Sequence, residues 1–513
     1  MSQTRLAARA TIVSWLGAAA QYAATLVSTP IMIHGLGIVN YGLWSLVFDV
    51  LGSPLAMDIG LGGSATKHLA ELEAKKDWQR YVNCIAIARQ ATRWQTLTLF
   101  LIGLMLALSF PYVFNTADTP KATVWLVAVL TSLGTCIAMY GNTNRCILRS
   151  KNRHDILNFT ANLRTLCMQV TGAALIYYGG SLQQLALLSL FMTVALQLSL
   201  YYFAERNLVI PEGYHAQPDE DLKKRMFRFG GSLVFGQVAK LISSRSGRLV
   251  IGVMLGTQMV AFYEVAQQFT TRVLRLGTTL TPGVMPLAAR MQAKDDQVGL
   301  QRLGVISIRL LLMFGICAAT MLISQGGAFI HFWLDEAGSN RFEANTYPVL
   351  VMLAIAVAIE LPNVASTFLL TGMGAIQPVR NYAILEGILT LLLCSFLGWS
   401  HGILGVGIGM LASQVVVGIF LRPRMLARKM EIPFPHFLRV VVLRAIISCL
   451  PCIAFAIGFY YLLPPTSLWM VIGEVALLAV LGMVPAVMIG LDAEIRRQLF
   501  MPVLKRIRGV FAG

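Results

Sequence analysis

The residues best able to bind a ligand are arginines in two neighbouring apolar segments. Counting apolar segments from the N-terminus, the seventh carries Arg245 and Arg248, and the eighth carries Arg272 and Arg275. Residues three apart share one face of a helix, and Arg245 and Arg272 fall near the middle of their segments. A guanidinium group donates hydrogen bonds in a planar fork that fits phosphate. The four side chains therefore predict a binding site for an anionic, phosphate-bearing ligand.

The composition around these arginines is that of a membrane protein. Apolar residues make up 56% of the 513 residues and charged residues only 13%, whereas soluble domains contain about 25% charged residues. The apolar residues form blocks of about twenty, the length that crosses about 30 Å of hydrocarbon as a helix. Short alternating segments, which a membrane barrel would require, do not occur. The sequence therefore predicts an all-α polytopic membrane protein.

About fourteen segments fit the pattern of a membrane span. Basic residues concentrate in alternate loops, as the positive-inside rule expects of cytoplasmic loops, whereas the other loops hold only Lys121 and Arg341. The rule accounts for the net charge of +17 without a nucleic-acid partner, and it places both termini in the cytoplasm. The predicted spans are residues 11–33, 42–64, 89–110, 121–145, 156–178, 182–204, 230–255, 259–287, 305–331, 345–370, 381–397, 402–421, 437–462 and 468–489.

A weak internal repeat divides the predicted spans into two sets of six. One Leu-Gly pair ends at Gly37 and another at Gly256, each shortly before a tyrosine, and Asn142 and Asn363 repeat at a similar offset of about 220 residues. Because six spans separate the copies, the two halves share one orientation, which predicts two six-helix lobes around a central cavity. The predicted domains are the N-terminal lobe 1–204, the linker 205–229, the C-terminal lobe 230–424, and two added helices with a basic tail at 425–513.

Further charged residues in the spans extend the candidate site. Charges are costly in hydrocarbon and usually face a bundle interior or a wet cavity. The four arginines outnumber Glu264, their nearest acid, which favours an anion-binding cavity over purely structural pairing. Arg309 either extends the site or reaches the cytoplasmic interface, and the same choice holds for Arg164. The added candidates are the cations Lys240 and Arg164, and the carboxylates Asp49, Asp58, Glu264 and Glu360, which could pair with arginine or couple transport to protons.

The sequence contains no motif for catalysis, for a metal or for a cofactor. It lacks the Gly-rich loop of P-loop proteins, no nucleophile lies beside a base, and His, Cys and acidic residues do not cluster at metal-ligand spacing. Gly402, Gly405, Gly407 and Gly409 lie in a predicted span, where small residues allow close helix packing. The loops are too short for a soluble catalytic domain. We therefore expect a transporter without a cofactor, and not an enzyme.

The first two spans resemble a known family. The stretch from Leu36 through Tyr41 to Trp44, followed by Asp58 to Gly62, is similar to the opening signature of bacterial polysaccharide transporters. These are the O-antigen (Wzx-type) flippases of the MATE-like (MOP) superfamily. The resemblance implies that alternating access of two lobes moves undecaprenyl-pyrophosphate-linked oligosaccharide from the inner to the outer leaflet of the bacterial plasma membrane. The anionic pyrophosphate of that substrate matches the arginine cluster.

The resemblance also implies partners and shows one departure. The implied partners are lipid-linked oligosaccharide, membrane lipids, glycosyltransferases, a polymerase and a chain-length regulator, and a monomer is expected. Members often carry an aspartate before the arginine of the seventh span, where this chain has Gly247 before Arg248, so a cation site there is in question. The alternative is a MATE-type, cation-coupled exporter of small organic cations, which would require an acidic cavity rather than a basic one.

Overall fold

The predicted all-α fold is confirmed by the computed structural model, whose described residues form helices and no strands. The described residues are 3–52, 61–116, 119–208, 210, 213–279, 281, 283–335 and 340–490, with side chains described there except at 3–16, 61 and 229–240. The helices are α1 (Gln3–Leu36), α2 (Ile38–Val47), α3 (Leu61–Ala74), α4 (Trp78–Val113), α5 (Lys121–Tyr140), α6 (Asn142–Ser150), α7 (His154–Tyr177), α8 (Leu182–Asn207), α9 (Glu220–Met254), α10 (Thr257–Thr278), α11 (Val284–Ala293), α12 (Gln297–Leu334), α13 (Arg341–Gly372), α14 (Ile376–Gln414), α15 (Arg422–Lys429), α16 (Phe434–Leu438), α17 (Arg444–Leu462), α18 (Leu468–Leu478) and α19 (Val484–Gly490).

Short π-helical segments continue several of these helices. They follow α2, α14, α16 and α18, and they join the last three to α15, α17 and α19 without a loop. Their bounds are Phe48–Gly52, Val415–Leu421, Arg439–Leu443 and Ala479–Met483. Such segments widen the helix locally and are frequent at functional sites. The first of them carries Asp49, one of the predicted carboxylates.

Eight helical stretches within the described residues are long and apolar enough to cross a membrane, or nine if the bent pair α1–α2 is one span. They are α4, α5–α6, α8, α12, α13, α14–α15, α16–α17 and α18–α19. The stretch α14–α15 holds 54 residues, and a helix of that length would extend about 80 Å, far beyond the hydrocarbon core. It must therefore cross more than once. The total of fourteen spans stays a prediction.

The stretch α14–α15 folds back on itself at Gly402. This glycine has φ 63° and ψ −142°, which breaks the helix. A Cβ added to Gly405 would lie 1.9 Å from the Leu397 carbonyl oxygen, and one added to Gly409 would lie 2.7 Å from the Cys394 amide nitrogen. These contacts show two antiparallel arms whose backbones touch through the glycines. The predicted close packing is confirmed for Gly405, Gly407 and Gly409, whereas a Cβ at Gly402 would meet no atom within 4 Å, and this glycine makes the turn instead.

Two glycine turns, each followed by a buried tyrosine, have a similar positive φ angle. Gly37 has φ 81° and Gly256 has φ 91°, a region that costs other residues free energy because of their Cβ. Helix α2 begins one residue after Gly37, and α10 begins one residue after Gly256. Tyr41 and Tyr263 are both buried. The Leu-Gly pairs of the sequence thus correspond to two similar helix breaks.

The chain divides into two compact units, and each has its own core. Unit 1 contains Met1–Leu241 and Arg248–Ala261, and unit 2 contains Ile242–Gly247 and Phe262–Gly513. In unit 1, α1 packs along α7, α4 along α5, and α5 along α8. In unit 2, α12 packs along α13 and α17, and α13 along α14. The domain boundaries drawn from the sequence stay a prediction.

Replacing Gly409 by alanine is expected to destabilise unit 2. The added methyl group would meet backbone atoms of Leu393 and Cys394 at 2.7–2.8 Å, so the two arms must separate, at a cost of about 1–3 kcal/mol. We expect a lower melting temperature of the detergent-purified protein. The matched control is Gly473→Ala, since a methyl group there meets no atom within 4 Å. Equal melting temperatures for both variants would contradict the close packing of the arms.

Candidate substrate-binding site

A buried ion pair in unit 1 joins two of the predicted site residues. The carboxylate of Asp49 forms an ion pair with the guanidinium of Arg248, and the two side chains are only 5% and 13% exposed. Asp49 lies in the π-helical segment that follows α2, and Arg248 lies on α9. Removing one partner of a buried pair leaves an uncompensated charge and costs about 3–5 kcal/mol. The pair therefore fixes the position of α2 against α9.

Glycines allow the close approach of the helices around this pair. A Cβ on Gly42 would lie 1.8 Å from the Thr257 carbonyl oxygen, and one on Gly252 would lie 2.7 Å from a methyl group of Leu46. The backbone of Asn115 adds two hydrogen bonds, since its amide donates to the Gly252 carbonyl and its carbonyl accepts from the Thr257 amide, both at 3.1 Å. The turn between α9 and α10 is thus held against α2.

A row of polar side chains follows one face of α10 in unit 2. The guanidinium of Arg272 donates to the amide oxygen of Gln268 at 3.3 Å, and the amide nitrogen of Gln268 donates to Glu264 at 3.5 Å. Each step spans four residues, so the three side chains share one helix face, and all are half-buried. On α10, Phe269 packs its ring against Phe329 and Trp333 of α12. This aromatic contact fixes the rotation of α10 and hence the direction of the polar row.

At position 247, where the resembled family often has aspartate, the packing of this chain leaves room only for glycine. A Cβ on Gly247 would lie 2.3 Å from the hydroxyl oxygen of Tyr263 and 2.8 Å from its ring. Tyr263 is fully buried, and its hydroxyl donates to the sulfur of Met410 at 2.6 Å. The tyrosine therefore occupies the space that an aspartate side chain at position 247 would need. In this chain the position allows α9 to pack on α10, and it holds no carboxylate.

Arg164 lies with other polar residues between helices of unit 1. Its guanidinium donates to the Thr193 hydroxyl of α8 at 2.8 Å. Polar contacts also join α7 to α1, where Gln21 donates to Asn162 at 3.0 Å and Gln169 donates to the hydroxyl of a threonine at 2.8 Å. Arg164 is half-buried. The helix α7 therefore makes polar contacts on two sides, to α1 through Asn162 and Gln169 and to α8 through Arg164.

The other predicted site residues are placed as follows. Arg275 is exposed on α10, while Arg245 on α9 and Glu360 on α13 are half-buried. The side chain of Lys240 and the whole of Asp58 lie outside the described residues. Arg245 belongs to unit 2 and Arg248 to unit 1. The structure thus joins Asp49 to Arg248 directly, and the role of the other cations in ligand binding stays a prediction.

Sequence reasoning missed a second buried ion pair in unit 2. Glu386 of α14 accepts from Arg422 of α15, from the Gln414 amide at 2.8 Å and from the Ser243 hydroxyl at 3.3 Å. The side chains of Glu386 and Arg422 are 9% and 16% exposed. Arg422 resembles a loop cation in the sequence, because its partner lies 36 residues earlier. The pair links the two arms that meet at Gly402.

Sequence reasoning also missed a cluster of three side chains that could bind a metal ion, His331, Asp335 and Glu343. Their ligand atoms lie within 4.8 Å of one another. Asp335 also accepts from the amides of Phe342 and Glu343 at 2.8 and 3.1 Å, so it caps the start of α13. The spacing of four residues between His331 and Asp335 was a visible signal, but Glu343 comes from the next helix. The three side chains come together only through folding, and the capping bonds give Asp335 a structural role at the start of α13.

Comparison with known proteins shows similarity to transporters and flippases. A model of the polysaccharide biosynthesis protein family matches residues 7–292. A Shigella flexneri protein, provisionally described as an O-antigen transporter, is 22% identical over 341 residues, which cover 64% of this chain and 77% of that protein.

Two solved structures share the fold. The lipid II flippase MurJ in an inward closed conformation has a TM-score of 0.73 and 12% identity, covering 96% of this chain and 99% of MurJ. An inward-facing multidrug resistance MATE family transporter of the MOP superfamily has a TM-score of 0.66 and 15% identity, covering 81% of this chain and 99% of that structure. The fold of this multi-pass, helical chain is thus that of a flippase and of a transporter, and neither of these two proteins is an enzyme. Because the family model spans more than half of its residues, the chain belongs to the polysaccharide biosynthesis protein family.

A single and a double variant test whether Asp49 and Arg248 stabilise the fold as a pair. Asp49→Asn is expected to lower the melting temperature strongly, because the buried guanidinium loses its counter-ion, a cost of about 3–5 kcal/mol. The double variant Asp49→Asn with Arg248→Gln removes both charges and is expected to recover most of that stability. Measured melting temperatures of the purified variants test this. A double variant less stable than the single one would contradict a simple pairing role.

Gly247→Ala is expected to lower stability by about 1–3 kcal/mol, as overpacking of a filled core does. The methyl group would displace the buried Tyr263 ring and its contact to Met410. Thermal unfolding followed by tryptophan fluorescence would measure the change. Gly458→Ala is the control, since a methyl group there meets no atom within 4 Å. An unchanged melting point for Gly247→Ala would mean that the α9–α10 contact is looser than described.

Proposed function

We propose that this protein is a flippase for undecaprenyl-pyrophosphate-linked oligosaccharide. It moves this lipid from the inner to the outer leaflet of the bacterial plasma membrane, where the sugar enters a surface polysaccharide such as O-antigen, capsule or exopolysaccharide. The support comes from the family to which the chain belongs and from the provisional O-antigen transporter that it resembles. The flippase fold of MurJ is compatible with this activity, and alternating access is the mechanism that the proposal adopts.

The observation that carries the proposal is the polarity of α7 and α10. Both helices hold more than twenty residues, so each is long enough to cross the hydrocarbon core. Neither is among the apolar spans found in the described residues. A helix of span length with charged groups at its centre is stable only against protein or water. We infer that the charged residues of each helix lie against protein or water and not against lipid, as a transporter of a charged substrate requires.

The charged residues of the predicted site suit an anionic headgroup. Arg245 and Arg248 on α9 and Arg272 and Arg275 on α10 supply four guanidinium groups, against the carboxylates Asp49 and Glu264. Guanidinium binds phosphate in a forked geometry that lysine cannot reproduce. Lys240 and Arg164 extend the proposed site. The acids, among them Asp58 and Glu360, would pair with arginine or carry coupling protons.

The membrane potential would favour the proposed direction of transport. The cytoplasmic side is normally negative, so outward movement of an uncompensated negative headgroup gains about 2.3 kcal/mol per charge per 100 mV. The proposed location is the bacterial inner membrane with both termini in the cytoplasm, as the distribution of basic loops favours. A monomer would work beside the glycosyltransferases, the polymerase and the chain-length regulator that make and use the lipid-linked sugar.

Complementation of a deletion strain tests the function and the arginine site together. Wild type should restore surface polysaccharide, and Arg272→Gln should lower it at least about tenfold, as loss of a charged partner in a site predicts. Lipid-linked intermediate should then accumulate on the cytoplasmic leaflet. Arg272→Lys should restore export in part, because it keeps the charge and loses the fork. Export is measured per amount of protein in the membrane.

Arg290→Gln provides the matched control, since Arg290 is exposed on α11. Full export by Arg272→Gln would assign this arginine a structural role only. A deletion strain with normal polysaccharide and lost resistance to organic cations would instead support the alternative, a MATE-type cation-coupled exporter, which the fold also allows.

A further inference from the structure

Three side chains of unit 2 that can bind a metal ion meet where α12 ends and α13 begins. His331 lies in the last turn of α12, Asp335 directly follows that helix, and Glu343 lies in the first turn of α13. One ligand atom of each side chain lies within 4.8 Å of the other two. We call these three residues the α12–α13 cluster. None of them belongs to the proposed substrate site.

The imidazole of His331 faces both carboxylates without a hydrogen bond to either. Its Nδ1 atom lies 3.5 Å from Oε2 of Glu343 and 3.7 Å from Oδ2 of Asp335. This nitrogen is buried, and it has no hydrogen-bond partner among the described residues. A buried polar atom that lacks a partner is costly. An ion held between the nitrogen and the two oxygens would satisfy all three atoms at once.

The distances and the ligand types fit a tetrahedral zinc ion. Zinc binds histidine nitrogen and carboxylate oxygen at about 2.0–2.2 Å, so two ligand atoms of a tetrahedral ion lie about 3.3–3.6 Å apart. The first of the two distances from the His331 nitrogen lies in this range, and the second lies just above it. Imidazole suits zinc, whereas oxygen ligands alone suit Mg²⁺ or Ca²⁺. The two carboxylates also balance the charge of a divalent ion.

Hydrogen bonds hold Asp335 in the position of a ligand. Its side chain is only 1% exposed and accepts from the backbone amides of Phe342 and Glu343. A carboxylate oxygen has two lone pairs, so Oδ2 keeps one after it accepts from the Glu343 amide. Carboxylates that bind a metal are usually hydrogen-bonded in this way. The first turn of α13 therefore positions both acidic side chains against His331.

We propose that the α12–α13 cluster binds Zn²⁺. The ligands are Nδ1 of His331 and one oxygen each of Asp335 and Glu343, and water takes the fourth position, as in zinc sites with three protein ligands. The bound ion joins the end of α12 to the start of α13. The loop between these helices is one of those poor in basic residues, which the positive-inside rule predicts outside the cytoplasm, so the zinc comes from that side. The site takes no part in substrate binding.

The test uses the full-length protein in a neutral detergent, freed of any affinity tag and of bound metal by a chelator. Zn²⁺ is titrated by isothermal calorimetry, and the melting temperature is measured with and without the ion. Wild type should bind zinc and melt at a higher temperature with it, because the ion binds only the folded state. Mg²⁺ at the same concentration should produce a much smaller shift, since it gains little from imidazole.

Two variants each remove one ligand. His331→Asn and Glu343→Gln should each weaken zinc binding at least about tenfold, as loss of a ligand predicts, and should abolish the zinc-dependent rise in melting temperature. The two side chains are 34% and 36% exposed, so these variants should fold as wild type does. His401→Asn is the matched control, since His401 is exposed on α14 and lies outside the cluster. It should bind zinc as wild type does.

Equal zinc affinity of wild type and of both cluster variants would overturn the proposal, because the ion would then bind elsewhere on the surface. A stabilisation by Mg²⁺ as large as that by Zn²⁺ would also overturn it, since it would show binding by the carboxylates without the imidazole. Zinc binding is measured without transport, so either result leaves the flippase proposal to its own test.

Discussion

A charged side chain inside a bilayer finds no water, and its hydrogen bonds must come from the protein. This constraint accounts for the most specific contacts of the chain. Asp49 binds Arg248 where α2 meets α9, and Glu386 binds Arg422 where the two arms of the hairpin meet. The first pair joins helices that are distant in sequence, and the second joins the two ends of the stretch α14–α15; each would leave a costly charge if its helices separated. The arrangement of these helices therefore depends on keeping their charges satisfied.

Close contacts at glycines hold helices together in lipid, where burial of apolar side chains gives little driving force for association. Lipid tails are as apolar as leucine, so burial of hydrophobic surface gives little drive for two helices to associate. Close approach at glycines does: backbones touch at Gly42 against Thr257 and at Gly409 against the opposite arm, and Gly247 meets the side chain of Tyr263. Gly247 directly precedes the predicted site residue Arg248. Packing and ligand chemistry therefore share the same short segments of chain.

The sequence predicts properties that depend on local pattern. The helical class, the glycine packing after Gly402 and the family follow from apolar blocks, small-residue spacing and a short signature. The ion pair of Glu386 with Arg422 was not predictable, because no local pattern relates residues 36 positions apart. The same holds for Gly247, whose neighbour Tyr263 is identified only by the packing of α9 on α10. The number of spans could not be determined from the sequence either, because polar helices such as α10 resemble loops as much as spans.

The polarity of α10 has a consequence for biosynthesis. A translocon releases helices into lipid according to their apparent insertion free energy, which arginine at the centre raises by about 2.5–3.5 kcal/mol. With Glu264, Arg272 and Arg275 within 22 residues, α10 is a poor candidate for release alone. Its aromatic contact partner α12 is strongly apolar and emerges about 40 residues later. A bilayer-spanning α10 would therefore insert together with α12 and not alone.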